Sequence, residues 1–170
     1  DYFGVDRHAV TMYSSVFVAR DIIYAYRQWD FKYIHHDCGD WDLPNAPIIA
    51  DLPNGRKIVM SVTKQAWIYA FDRLTGEPIW PIVERPVPRG DVPGEWYSPS
   101  QPFPTKPAAF DRQGFSEDDL IDYTPALRAM ALEAVQDFRL SRTIFTPPSL
   151  QDHPDGTRGL LVRRLACLLY

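Results

Sequence analysis

Short apolar stretches recur through the first half of the chain, with turn residues between them. They are rich in β-branched and aromatic side chains, which favours strands over helices. Strands are predicted at residues 12–19, 29–34, 47–51, 57–62 and 66–71. Asn54 and Gly55 suit the positive φ angles of a tight turn, so the third and fourth strands should form a hairpin. A further turn at residues 74–77 predicts a meander that returns towards Trp80.

The second half of the chain departs from this pattern. Eight prolines fall between residues 81 and 110, and because proline cannot donate to a strand ladder, a long ordered loop is predicted over residues 81–115. Thr124 followed by Pro125 is typical of a helix start. Apolar residues at helical spacing predict an amphipathic helix packed on the core, within a helical insertion at residues 116–142. The stripe consists of Leu127, Ala131, Val135 and Phe138.

The tail at residues 156–170 changes character, because it is apolar and basic after a polar turn. It is predicted to be either a helix or non-native sequence. The chain begins at Asp1, so any signal peptide is expected to have been removed or to lie upstream of a truncation. No run of eighteen apolar residues is present, so no transmembrane helix is predicted.

Composition favours a globular, β-rich protein. Of the 170 residues, 45% are hydrophobic and 24% charged, while 14% are aromatic and 16 are proline. The net charge of -4 and pI near 5.5 exclude a typical nucleic-acid surface, which needs clustered Lys and Arg. Cys38 and Cys167 lack the spacing of a structural zinc site or of a dense disulfide framework, and they do not indicate a redox compartment.

An internal repeat with a period of 51 residues runs through the predicted strands. One copy contains Ala70, Asp72, Thr75, Gly76 and Trp80. The other copy has Ala19, Asp21 and Trp29 at the same offsets, with Tyr24 and Ala25 in place of Thr-Gly. Repeats of this length are typical of propeller blades, in which a tryptophan at a fixed position can pack between neighbours. The repeat therefore predicts a fold and carries no activity by itself.

The pattern Ala-x-Asp-x-x-Thr-Gly-x-x-x-Trp resembles the tryptophan-docking motif of quinoprotein dehydrogenases that depend on pyrroloquinoline quinone (PQQ). The run His35-His36-Asp37-Cys38-Gly39-Asp40-Trp41-Asp42-Leu43-Pro44 resembles the family's His-His-Asp-x-Trp-Asp-x-Asp-x-Pro segment, and residues 98–107 resemble its proline-rich stretch. The likeness covers residues 29–150 and is strongest to the glucose dehydrogenase-like branch. It implies a mainly-β fragment of an eight-bladed propeller, with about two blades at residues 14–80.

The resemblance also implies a chemistry and its residues. Oxidation of a sugar or alcohol requires a base for the hydroxyl proton. Of Asp37, Asp40 and Asp42, the resemblance assigns this role to Asp40. It assigns Lys64 as a donor to a quinone carbonyl oxygen, in a run where Ala66 replaces the family's Gly.

Further expectations follow from the same resemblance. The cofactors would be PQQ and a calcium ion, whose ligands are expected in blades outside this chain. Electrons would pass to a quinone or a cytochrome. The location would be periplasmic, with association with the inner membrane left open. Where the family usually has Trp, this chain has Gly39, which predicts altered packing around Asp40.

Other interpretations compete with these assignments. His35 and His36 invite a metal site, but consecutive side chains on a strand face opposite ways, so a structural role with one buried, hydrogen-bonded imidazole is favoured. Trp41 and Trp67 are predicted to pack in the core rather than to line a site. At the level of the protein, the alternatives are a non-catalytic propeller scaffold for protein interaction and an inactive truncated fragment. A scaffold has no need of Asp40 and Lys64 together.

Overall fold

The protein is built mainly from short strands in small sheets. The computed structural model describes residue 4, residues 14–150 and the backbone of residues 160–161. Its elements are β1 (Val16–Arg20), β2 (Arg27–Lys32), β3 (Ile48–Asp51), β4 (Lys57–Val62), β5 (Ile68–Asp72), β6 (Ile82–Pro86), β7 (Ser100–Pro104), α1 (Pro125–Val135), β8 (Arg139–Leu140) and β9 (Leu160–Leu161), with a short 3-10 helix at Glu117–Asp119. This mainly-β architecture of small sheets agrees with the predicted propeller fragment. Within the described part, no helix is long and apolar enough to cross a membrane.

The first five strands form a two-stranded and a three-stranded antiparallel sheet. β1 pairs with β2, and β4 lies between β3 and β5. The predicted hairpin is confirmed, because Gly55 has a φ of 80° and the Leu52 amide donates to the carbonyl of Arg56 at 2.8 Å. The strands predicted at residues 29–34 and 66–71 are each displaced by about two residues. The predicted strand at 12–19 begins at Val16, and its residues 12 and 13 lie outside the described residues.

The 51-residue repeat is visible in matching hydrogen bonds. In both copies the aspartate, Asp21 or Asp72, accepts the amides of the second and third residues after it at 2.8 to 3.1 Å. The aspartate carbonyl accepts the amide of the fourth residue after it at 2.9 Å. The aspartate amide donates to the carbonyl of the fifth residue after it at 2.8 Å. The fourth residue after the aspartate has a left-handed backbone conformation in each copy, with φ 58° at Ala25 and φ 77° at Gly76. The two segments are therefore the same turn.

The tryptophan of the first copy packs on the turn of the second. Trp29 Nε1 donates to the Arg73 carbonyl at 3.1 Å. A Cβ atom at Gly76 would lie 2.6 Å from Cγ of Trp29. The two sheets also meet through an aromatic cluster with centroid separations of 5.0 to 6.0 Å. It consists of Phe17, Trp29, Phe31, Tyr69 and Phe71.

The prediction of a loop without strand pairing between residues 81 and 110 was wrong in part. β6 and β7 form an antiparallel pair there, with prolines in both strands. The prolines within these strands occupy the register positions Ile82↔Pro104, Glu84↔Pro102 and Pro86↔Ser100. The residues between these positions form the hydrogen bonds that join the two strands. At the two ends of the pair, the Val87 amide donates to the Pro99 carbonyl at 3.1 Å and the Thr105 amide donates to the Pro81 carbonyl at 3.0 Å. Every second residue of an antiparallel edge points its amide outwards, so proline is tolerated there.

Helix α1 begins as predicted but packs differently. Thr124 is the N-cap, its hydroxyl accepts the Leu127 amide at 3.2 Å, and Pro125 is the first helical residue. The apolar stripe was predicted to pack on the core, and this was wrong, because no residue of α1 is buried. Leu127 is 39% exposed and Phe138, just after the helix, 40%. Helical spacing predicts which residues share a face, but it does not predict what covers that face.

The tail differs from its predicted helix at the two residues that can be compared. Leu160 and Leu161 form β9, which pairs in parallel with β8. The remaining residues of the predicted tail at 156–170 lie outside the described part of the chain.

Candidate active site

The acidic loop is held in place by its first aspartate. The Asp37 carboxylate is largely buried and accepts the amides of Gly39 at 2.8 Å and Trp41 at 2.9 Å. Asp40, between these two donors, has a φ of 58°, which is uncommon for a residue other than glycine. Its side chain remains 43% exposed. Asp37 therefore has a structural role, whereas Asp40 is open to a ligand.

Lys64 comes from the tight connection between β4 and β5. The Thr63 amide donates to the Trp67 carbonyl at 3.0 Å, and the Ala66 amide donates back to Thr63 at 3.1 Å. Ala66 has a φ of 63°, at the position where the similar motif has glycine. The turn brings Lys64 beside the acidic loop, where its amide donates to the carbonyl of Asp42 at 3.4 Å.

The structure brings the two predicted site residues into contact. Lys64 Nζ lies 3.2 Å from Asp40 Oδ2 and 3.2 Å from the Asp40 carbonyl. It lies still closer to Asp42 Oδ2, at 2.6 Å. Burial by itself lowers the pKa of Lys64, but the hydrogen bonds to Asp42 and Asp40 hold it above the ordinary value. The site therefore contains a fixed cation flanked by two carboxylates.

This arrangement supports acid-base chemistry. An ammonium within hydrogen-bond reach keeps a carboxylate ionised, so Asp40 is held in the unprotonated form that a general base requires, while the same contact lowers its affinity for a proton. The ammonium of Lys64 is itself a charged hydrogen-bond donor for an electron-rich oxygen. Asp42 was among the candidate acids, but no role was assigned to it. Its spacing of two residues from Asp40 was the only sequence signal that both acids could meet one cation.

The two histidines point to different partners. His36 Nε2 lies 2.8 Å from Glu95 Oε1, and both side chains are almost completely buried. His35 Nε2 lies 2.8 Å from Glu84 Oε1, and both of these side chains are partly exposed. The prediction of one buried and hydrogen-bonded imidazole is confirmed for His36. Its partner Glu95 is 59 residues away, so no local pattern could have identified it.

Trp41 and Trp67 are core residues, as predicted. Both are about 95% buried, and both rings pack against Phe145 at centroid separations of 6.0 and 5.7 Å. A Cβ atom at Gly39 would lie 2.2 Å from Nε1 of Trp41. The Trp41 indole thus fills the space beside Gly39, which leaves no room for a larger side chain at that position. This contact is a physical reason for the glycine.

A cavity of about 500 Å³ lies beside the acidic loop. Asp40 and Lys64 are not among the described residues that line it, although both neighbours of Asp40 are. The lining includes His36, Cys38, Gly39, Trp41, Tyr97 and Phe145. The Asp40–Lys64 pair and the cavity are therefore adjacent but separate features of this chain.

Comparison with known proteins agrees with the predicted family and with the propeller fold. Residues 1–157 match the family of glucose/ethanol/alcohol dehydrogenase β-propeller domains that use PQQ. The chain belongs to this family. Quinoprotein dehydrogenases of this kind are oxidoreductases, and the family implies PQQ as cofactor. No solved structure gives a significant match.

Curated quinoproteins match most of this chain. The quinoprotein glucose dehydrogenase of Escherichia coli is 33% identical over 149 residues, which cover 82% of this chain and 18% of that protein. The quinate/shikimate dehydrogenase (quinone) of Acinetobacter baylyi is 32% identical over 130 residues, or 74% of this chain and 16% of that protein. The glycerol dehydrogenase large subunit of Gluconobacter thailandicus is 32% identical over 158 residues, or 88% of this chain and 21% of that protein. The chain thus spans about a fifth of the length of these relatives.

Proposed function

We propose that the complete protein oxidises a hydroxyl group of a sugar or alcohol by hydride transfer to PQQ, with Asp40 as the general base. The observation that carries this proposal is the contact of 3.2 Å between Lys64 Nζ and Asp40 Oδ2. Similar proteins are named as dehydrogenases of glucose, quinate or shikimate, and glycerol, all of which are polyhydroxylated. Their names support a hydroxyl-bearing substrate class.

Asp40 would receive the hydroxyl proton as the substrate is oxidised. Its side chain is 43% exposed, so a substrate hydroxyl can approach its carboxylate within hydrogen-bond distance. Lys64 stabilises the ionised carboxylate before the proton arrives. Because the backbone of the acidic loop is fixed by Asp37, the carboxylate is positioned before the substrate binds.

Lys64 would donate a hydrogen bond to a quinone carbonyl oxygen. An ammonium has three donors, and all three are directed in this structure to oxygens of Asp40 and Asp42. The contact to Asp42 is shortest, at 2.6 Å, so Asp42 anchors the ammonium. The longer contact to the Asp40 backbone carbonyl is then the one that a ligand oxygen would replace, while the contact to the Asp40 carboxylate is kept.

The residues of this site fit PQQ in their chemistry. A charged donor beside an exposed carboxylate suits a cofactor that carries carbonyl oxygens, and PQQ supplies the two-electron acceptor for the hydride when it is bound. Calcium prefers carboxylate and carbonyl oxygens, and we propose that its ligands come mainly from parts of the protein outside this chain. We further propose a periplasmic location, with a quinone or a cytochrome as electron acceptor.

The enzyme proposal is favoured over a non-catalytic scaffold by the same contact. A scaffold would require the repeat and its packed tryptophan, but not a lysine held between two accessible aspartates. The acidic loop adopts a left-handed φ at Asp40. This backbone conformation does not decide between the two proposals, because Ala25 has the same φ of 58° in an exposed turn.

Asp40→Asn in the complete, PQQ-loaded protein tests the proposal. Asparagine keeps the size of the side chain but cannot accept the proton, so kcat should fall by about 10²- to 10⁴-fold. PQQ binding, followed by the absorbance of the quinone, should be retained. Asp51→Asn is the matched control. Asp51 is the last residue of β3, and its exposed carboxylate pairs with the Arg73 guanidinium at 3.0 Å. Near-normal turnover of the Asp40 variant would show that this carboxylate is not the base.

A further inference from the structure

A second group of polar side chains lies on the cavity side of the acidic loop. His36, Cys38 and Glu95 each offer one metal-ligating atom, and these atoms all lie within 4.8 Å of one another. The side chains of His36 and Glu95 are 2% and 1% exposed. His36 and Cys38 also line the cavity of about 500 Å³. His36 and Glu95 thus form a buried pair with the partly buried Cys38 thiol beside it, and together they offer donors that zinc accepts.

Two separate segments bring these groups together. His36 has a φ of 48°, which turns the chain at the start of the acidic loop, and Cys38 follows two residues later. Glu95 lies in the connection between β6 and β7. It is oriented by the Trp96 amide, which donates to Glu95 Oε1 at 2.9 Å, while the Trp96 ring packs edge-on against His36 at 5.0 Å. Glu95 Oε2 also accepts the amide of Gly4, so the cluster is fixed by local turns and by one segment that is distant in sequence.

We propose that His36, Cys38 and Glu95 bind a borderline transition-metal ion such as Zn²⁺. Zinc is bound in proteins by imidazole nitrogen, thiolate sulfur and carboxylate oxygen, which are the three donors present. A thiolate and a carboxylate together carry two negative charges and balance a divalent cation. Calcium and magnesium prefer oxygen ligands, so a site containing a thiolate discriminates against them.

The geometry requires only local adjustment. With zinc bonds of about 2.0 to 2.3 Å, donor atoms of a tetrahedral site lie roughly 3.3 to 3.8 Å apart. The His36–Glu95 contact of 2.8 Å must therefore lengthen, and any separation near the 4.8 Å limit must shorten. Both changes are within the range of side-chain rotation. Three protein ligands leave a fourth position, which the cavity can supply with water or a small ligand.

This site differs from the Asp40–Lys64 pair in residues and in chemistry. It uses none of the groups assigned to substrate oxidation, and it binds a softer cation than the calcium ion proposed for the complete protein. Zinc binding could therefore be present when Asp40 is not the base, or absent when it is. The inference does not rest on the proposed function.

Titration of the chain with Co²⁺ tests the site directly. One equivalent of Co²⁺ should produce a thiolate-to-metal charge-transfer band that Zn²⁺ abolishes by displacement and that excess Ca²⁺ or Mg²⁺ leaves in place. Cys38→Ser should abolish the band and weaken Zn²⁺ binding by more than about tenfold, since loss of even an outer-shell partner typically costs that much. Cys38 is only partly buried, so this small change should preserve the circular dichroism spectrum.

Two matched variants separate this site from other thiols and histidines. Cys167→Ser removes the chain's other cysteine, and His35→Gln removes the imidazole that pairs with Glu84 instead. Both should keep the Co²⁺ band and the Zn²⁺ affinity. Absence of the band in the unmodified chain, its persistence in Cys38→Ser, or its loss in Cys167→Ser would each overturn the proposal.

Discussion

The two copies of the repeated turn have the same backbone and different surroundings. Asp21 and Asp72 form matching hydrogen bonds, and the residue four positions on is left-handed in both turns. Gly76 lies beneath the indole of Trp29, with no room for a Cβ atom. Ala25 takes nearly the same φ in an exposed turn. The comparison separates two reasons for a glycine: the φ angle can be met by alanine, whereas the close approach of the tryptophan cannot.

The tryptophans of the two copies differ in the same way. Trp29 packs against Phe17 and Phe71 and donates a hydrogen bond to Arg73. Trp80, at the equivalent position, is 37% exposed. A propeller repeat needs its neighbour to complete its core. Within the described residues, Trp29 packs on its neighbouring turn, whereas Trp80 has no comparable cover.

The largest effect is expected from Trp29→Ala. The variant removes the packing between the two sheets and the hydrogen bond to Arg73, so the free energy of unfolding should fall by about 3 kcal/mol. Trp80→Ala is the control at the same repeat position and should change it by less than about 1 kcal/mol, as is usual for exposed positions. Urea unfolding followed by circular dichroism measures both. Equal effects of the two substitutions would contradict the idea that only Trp29 is docked.

The next effect comes from exchanging the two left-handed residues. Gly76→Ala places a Cβ atom 2.6 Å from Cγ of Trp29 and should reduce the unfolding free energy by about 2 kcal/mol. Ala25→Gly relieves a left-handed alanine but makes the unfolded chain more flexible, so a gain of at most about 1 kcal/mol is expected. The two substitutions should thus have opposite signs in the same urea assay. If Gly76→Ala were neutral, the docked tryptophan would not be what requires the glycine.

The fold was predictable where the information is local. The Asn-Gly hairpin, the Thr-Pro helix start and the spacing of the repeat each depend on residues close together in sequence, and the structure confirms them. The β6–β7 pair was missed because prolines were counted without their register. In that register they occupy the outward-facing positions of a two-stranded sheet. The exposed face of α1 was missed because amphipathic spacing does not identify the surface opposite.

The candidate site was predictable only in part. Asp40 and Lys64 were chosen from the resemblance, and the structure adds that they are in contact and that Lys64 is also held by Asp42. Their roles in catalysis stay predictions. The cluster of His36, Cys38 and Glu95 could not have been found from spacing, because Glu95 lies on a segment that is brought near only by the β6–β7 pairing. The spacing of the two cysteines had argued against a structural zinc site, but a mixed donor set does not need that spacing.

The smallest expected effect concerns the charge at the aspartate of the second turn. Hydrogen bonds from the amides of Thr75 and Leu74 hold the pKa of Asp72 below its ordinary value of 3.8. A lowered pKa in the folded state contributes stability that is present above pH 3.8 and is lost as the pH falls through the lowered pKa.

Asp72→Asn keeps an acceptor oxygen but cannot ionise. Its unfolding free energy should therefore fall below that of the unmodified chain near neutral pH, and this difference should shrink in acid. Asp72→Ala, which also removes the acceptor, should be destabilised at every pH. Urea unfolding between about pH 2 and pH 7 measures the unfolding free energy of all three proteins. If the difference between the Asn variant and the unmodified chain does not change with pH, the effect comes from hydrogen-bond geometry rather than from charge.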